Sequence, residues 1–180
     1  MMEHDRLILV AVGPDQVGLI EQISEFIVRR GGNIEDSKMA VFLGEFALIA
    51  LISGDPGSLS EIAARSAQLG SETGLSVWVK QPTGKRGLQP SLPYHLIASC
   101  MDHPGVVHRI STTLSRLGIN IESMETETYA APVSGTPIFR MDAAISVPAN
   151  LNINILREQL NEIEKQENID IKLTLLTKAS

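Results

Sequence analysis

One cysteine in 180 residues excludes an intrachain disulfide framework, and with it the small secreted scaffolds that depend on one. Cys100 sits in the apolar run Leu96 to Met101, where a buried small hydrophobe is the expected state rather than a reactive thiol. Aromatic residues make up only 4% of the chain, which leaves little surface for stacking on bases and requires cores built from Ile, Leu, Val, Ala and Met. Positive charge is scarce as well. The net charge is −6: residues 1–80 hold eleven acidic against six basic residues, 81–93 two basic residues, and 94–180 ten acidic against seven basic. A surface that gripped phosphate backbones would need clustered Lys and Arg, so direct nucleic-acid binding is disfavoured, and the pair Lys85-Arg86 reads as a solvated feature. No uninterrupted apolar run approaches the roughly 20 residues of a membrane span, and Met1 to Arg6 has no apolar signal core. The expected setting is cytoplasmic, away from membranes.

Catalytic constellations are lacking too. The histidines His4, His95, His103 and His108 show no zinc-helix or metal-loop spacing, and neither a nucleophile elbow, a P-loop nor a dinucleotide fingerprint occurs. Glu122, Glu125 and Glu127 lie along one strand pattern, with Glu125 and Glu127 on one face, and read as a solvated row rather than an acid–base pair. The expectation is a protein without enzymatic activity, metal or cofactor.

What the chain does contain is a duplication. Aligning Asp15-Gln16-Val17-Gly18 with Asp102-His103-Pro104-Gly105 also aligns Ile23 with Ile110, Gly31 with Gly118, and Asn33-Ile34-Glu35 with Asn120-Ile121-Glu122, without a gap. Each copy passes from an apolar run (Leu7 to Val12, Tyr94 to Met101) through this loop into an amphipathic helical pattern that a glycine ends. The uninterrupted run Leu7 to Val12 predicts a strand buried on both faces. Two strand patterns follow, then a second helical pattern (Leu59 to Leu69, Leu151 to Gln166) and a last strand (Leu75 to Val79, Ile169 to Leu176). The order β-α-β-β-α-β in each copy predicts an α+β fold class: two ferredoxin-like domains, each an antiparallel four-stranded sheet with two helices on one face and its first and third strands central. The domains are read as 1–80 and 94–180, joined by a proline- and glycine-bearing linker over 81–93, with a frayed end over Thr177 to Ser180. In the second copy Ala130 to Pro137 lengthens the central hairpin loop, as a partner-binding arm or a surface insertion.

The duplicated loop is the candidate ligand site. A helix N-terminus carries unpaired backbone N–H groups and the positive end of the helix dipole, which suit a carboxylate. The candidate ligand-binding residues are Asp15, Gln16, Val17, Gly18 and Asn33 in the first copy, and Asp102, His103, Pro104, Gly105 and Asn120 in the second. Both asparagines, at the start of each second strand, are expected to lie beside the loop and to offer a donor and an acceptor to a small amino acid. The alternative is structural: Asp15 and Asp102 cap the helices and the glycines permit the turn.

The Asp-x-x-Gly loop, the Gly-Gly-Asn-Ile and Gly-Ile-Asn-Ile segments and the βαββαβ order together resemble the ACT domain, a small-molecule regulatory module. A free-standing pair of such domains is similar to the family of glycine cleavage system transcriptional repressors. That resemblance implies regulation of transcription through a protein partner, a LysR-type activator, in response to glycine or another small amino acid, by a homodimer without a DNA-binding domain of its own. It also implies ligand sites where ACT domains adjoin. Two other readings stay open: a regulatory subunit of an amino-acid metabolic enzyme, and a ligand-free oligomerisation module.

Overall fold

The computed structural model describes residues 5–84 and 90–176. The Lys85-Arg86 pair and the Thr177 to Ser180 end lie outside the described residues. The chain divides into two compact units between Arg86 and Gly87. In the first, β1 (Asp5–Pro14) leads to α1 (Leu19–Val28), then β2 (Asn33–Phe42), β3 (Glu45–Gly54), α2 (Pro56–Ala64), α3 (Ser66–Thr73) and β4 (Ser76–Lys80). The second runs β5 (Ser91–Met101), α4 (Val106–Arg116), β6 (Asn120–Ala130), β7 (Pro137–Pro148), α5 (Ile153–Glu167) and β8 (Asp170–Leu175). The sheets are ordered β2-β3-β1-β4 and β6-β7-β5-β8, antiparallel throughout, so each unit is the expected ferredoxin-like sandwich with its first and third strands central.

Each core lies on the helix side of its sheet. Leu7, Leu9 and Ala11 of β1 and Leu48, Ala50 and Ile52 of β3 meet Leu19, Ile23 and Ile27 of α1 and Ile62 of α2. In the second unit Leu96 and Ala98 of β5 and Met141, Ala143 and Ile145 of β7 meet Ile110 and Leu114 of α4 and Leu156 and Leu160 of α5. Cys100 belongs to this core, and burial, followed by the negative charge of Asp102, pushes its thiol pKa up.

Several details differ from the sequence reading. β1 is not covered on both faces: alternate residues are buried, while Ile8, Val10 and Val12 point to a face without helices. A single helix over Leu59 to Leu69 is in fact two, α2 and α3, separated at Arg65; Ser66 Oγ donates to the carbonyl of Ala63 at the break (2.9 Å). β5 begins at Ser91, inside the stretch read as linker, and pairs with Pro148 there. The Ala130 to Pro137 insertion folds on itself, Ala131 N donating to Thr136 O (2.8 Å) and Gly135 N to Ala131 O (2.9 Å). β2 and β6 each carry a register shift against their neighbours, between Ile34 and Asp36 and between Ile121 and Ser123.

Candidate functional site

Both Asp-x-x-Gly segments form the elbow between a central strand and a helix. Gly18 and Gly105 sit at the helix N-caps with φ of 97° and 101°, left-handed backbone that a residue with a Cβ adopts only under strain. Neither helix has a side-chain cap. The capping alternative for Asp15 and Asp102 therefore fails, and the contrast lies within the same molecule: Asp55 accepts from Gly57 and Ser58 N (3.0 and 3.1 Å), and Asn152 accepts from Asn154 N (3.0 Å). In α4 the bond from Arg109 N to Gly105 O (3.0 Å) begins the helical ladder, so the amides of Val106, Val107 and His108 precede it as helix geometry dictates.

In the second unit these amides border a recess of about 520 Å³ lined by Asp102, His103, Gly105, Val106, Val107, His108, Ser111 and Phe139. Asp102 is exposed, His103 half-buried, and His103 Nδ1 lies 3.4 Å from the carbonyl of its neighbour, the exposed Pro104. The main chain of Asp102 is tied to the end of β7, its N–H donating to Pro137 O (3.0 Å). A carboxylate acceptor, two imidazoles, the Ser111 hydroxyl, which donates to His108 O (3.1 Å), and helix N-terminal amides thus share one opening. In the first unit Asp15 N donates to Gly44 O (2.8 Å), Asp15 and Gln16 are exposed, Gly18 is half-buried, and Val17 is fully exposed. Among the described residues no three His, Cys, Asp or Glu side chains converge as metal ligands would.

The asparagines are elsewhere. Asn33 faces Ser53, which faces Arg6, whereas Asp15 follows Pro14 at the far end of β1. Eight residues of strand separate the two levels, roughly 26 Å. Asn120 likewise shares a level with Ser146 and Pro93, eight residues of β5 away from Met101. The expectation that each asparagine lies beside the loop of its own copy is thus overturned. A helix packed along the strand it follows carries the chain back to that strand's beginning, so loop and asparagine occupy opposite ends of α1 or α4. Asn120 Nδ2 donates to Glu122 Oε1 (2.8 Å), and Asn120 lines a different recess of about 720 Å³ with Ser111, Ser115 and Arg116. His108 and Ser111 were not among the sequence candidates. Their three-residue spacing on a helix that starts at the loop is the signal that places them on its side of the helix.

Two α+β sandwiches, each with an uncapped helix N-terminus behind a glycine elbow, define a tandem of ferredoxin-like domains. Models of the ACT domain match residues 5–80 and 94–129, together more than half of the sequence. The chain belongs to the ACT domain family. Over 127 residues, 69% of its length, it is 27% identical to the glycine cleavage system transcriptional repressors of Escherichia coli (strain K12) and Shigella flexneri. The match spans 66% of those relatives, just under two thirds of their length. Among solved structures, an unknown protein from Galdieria sulphuraria is 26% identical with a TM-score of 0.81, covering 97% of this chain and 100% of that one. A structure provisionally assigned as a glycine cleavage system transcriptional repressor is 20% identical, with a TM-score of 0.68 over 98% of this chain and 99% of its own, and shares the fold.

Proposed function

We propose that the protein is a non-enzymatic regulator that binds a small amino acid, glycine foremost, on the second unit's loop and thereby alters its affinity for a protein that controls transcription. The observation that carries this reading is the uncapped N-terminus of α4 opening into the recess with Asp102, His103 and His108. The helix amides take the ligand's carboxylate and the Asp102 carboxylate takes its ammonium. Pro104 stiffens the loop that presents them, a role Val17 does not fill in the first unit. The first loop, with Asp15, Gln16, Val17 and Gly18, is proposed as a second, weaker site. Asn33 and Asn120, a full helix away from the loop of their own copy, are proposed to contact ligand at a separate place, Asn120 in the recess with Ser111, Ser115 and Arg116. Net charge of −6 favours a protein partner, proposed to be of the LysR type, over direct contact with DNA.

Calorimetry against the twenty amino acids tests the ligand. One of them, glycine first, is expected to bind, and Asp102→Ala is expected to weaken that binding by about 10- to 100-fold, the loss of a hydrogen bond to a charged group. Absence of heat and of any thermal shift with all twenty would remove the ligand from the proposal. Co-purification with a transcription activator, changed by the bound amino acid, tests the partner; capture of a metabolic enzyme instead would favour the regulatory-subunit reading.

A further inference from the structure

The two units present opposite chemistry on the sheet face that carries no helices. Cross-strand partners place Lys38, Ile49, Val10 and Trp78 in one row across the first unit's face. The adjacent rows are Asp36, Leu51, Ile8, Lys80 on one side and Ala40, Ala47, Val12, Ser76 on the other. The centre is therefore aliphatic, with Trp78 at one edge, 57% exposed, and Ile49 48% exposed. In the second unit the matching face is charged: Asp142 bonds His95 Nε2 at 2.5 Å and lies 3.4 Å from Arg140 Nη2, with Glu125, Glu127, Lys172 and Asp170 in the same rows. An aliphatic face of this kind on a unit with an otherwise complete core is the mark of an interface.

We propose that the first unit's open sheet face is a homodimer interface, in which a second copy packs sheet on sheet about a two-fold axis parallel to the strands, between β3 and β1. The charges select both the occupant and the axis. This rotation exchanges the two edges of the sheet, bringing β2 of one copy over β4 of the other. Asp36 then lies over Lys80 of the second copy and Lys38 over its Trp78, and symmetry makes each contact twice: two ion pairs and two cation–π contacts around an aliphatic centre. Aligned sheets cross at about 30° some 10 Å apart, which displaces edge positions by about one residue, within reach of a lysine. A two-fold axis across the strands would instead stack Lys38 on Lys38 and leave Asp36 over Ala40. In the second unit the same rotation sets Glu125 over Lys172 but Glu127 over Asp170, and Asp142 and Arg140 stand where the first unit has aliphatic side chains. This interface lies on the opposite side of the sheet from the helices and does not rest on the ligand reading above.

Trp78 is the only tryptophan, so its fluorescence reports on this face alone. The full chain is expected to sediment as a dimer at about 100 µM, and its Trp78 emission is expected to shift to the red as dilution below the micromolar range dissociates it. Ile49→Lys is expected to give a monomer with unchanged circular dichroism. Asp36→Lys, which sets lysine over lysine, is expected to weaken the dimer about tenfold or more. The double variant Asp36→Lys with Lys80→Asp is expected to recover it to within about threefold, which a merely structural effect of either change would not do. Four results would overturn the proposal. A monomer at the higher concentration with water-exposed Trp78 emission means the face belongs to a different partner; a monomer with blue emission at every dilution means the chain covers it itself. A dimer indifferent to both Ile49→Lys and Asp36→Lys places the contact on another surface, and a double variant no tighter than Asp36→Lys alone rejects the axis.

Discussion

At the scale of single residues, the hairpin between β2 and β3 holds a choice that the local backbone opposes. Leu43 has a φ of 48° and is fully exposed, and Gly44 beside it has a φ of 84°. Two consecutive left-handed residues are the mark of a tight hairpin turn whose first position favours Asn, Asp or Gly. Leu43→Asn is expected to stabilise the first unit by roughly 0.5–1 kcal/mol in urea unfolding, by relieving the backbone cost of a leucine there. The reverse holds at Gly105: nothing lies within 4 Å of a Cβ built there, so Gly105→Ala meets no clash and its expected cost of about 1–2 kcal/mol is backbone strain alone. Gly105 was legible in the sequence because it recurs with Gly18 at the same point of both copies. Leu43 was not, since in the run Val41-Phe42-Leu43 a leucine counts as one more apolar residue and only the backbone angle reveals its position.

Among the elements, α2 shows what the uncapped helices lack. Asp55 precedes it and accepts from the Ser58 hydroxyl (2.5 Å) and from two backbone amides. The Ser58 hydroxyl first, and the Ser58 amide after it, hold the Asp55 pKa below the usual aspartate value. A carboxyl with a depressed folded pKa adds stability above its unfolded value and loses it as pH falls through the folded one. The melting temperature is therefore expected to fall on acidification below about pH 4, and Asp55→Asn, which keeps an acceptor without the charge, is expected to flatten part of that decline. The Asp55-Pro56-Gly57-Ser58 start was readable as a cap because its residue types are the capping chemistry itself. The break at Arg65 and the one-sided burial of β1 were not: an apolar run gives the same pattern whether its second face is covered by helices or left open. The placement of Asn33 and Asn120 failed for a geometric reason. Sequence order sets loop, helix and strand side by side, but a helix of ten or eleven residues, about 15 Å long, and the turns at its ends carry the chain back along the sheet before the strand begins.

For the molecule as a whole, the buried residues fall into two separate clusters, Leu7 to Leu75 and Tyr94 to Ile169. Residues 90–180 expressed alone are expected to melt in one cooperative transition, and Leu96→Ala, at a site with 0% exposure, is expected to cost that unit about 2–5 kcal/mol. Calorimetry of the fragment checks both. The doubling was plain in the sequence, and so was the order of elements. The difference between the two open sheet faces was not, because it emerges only when β2, β3, β1 and β4 are set in register and their alternate residues are read across the strands. One irregularity of that register reaches further back than any contact. The extra residue in the sheet edge falls at Glu35 in the first copy and at Glu122 in the second, positions that the gapless alignment makes equivalent. Two independent insertions at the same point are a poorer account than one, so the bulge belonged to a single ancestral domain before duplication, and the contrast between the aliphatic and charged faces arose after it, by change in at least one copy.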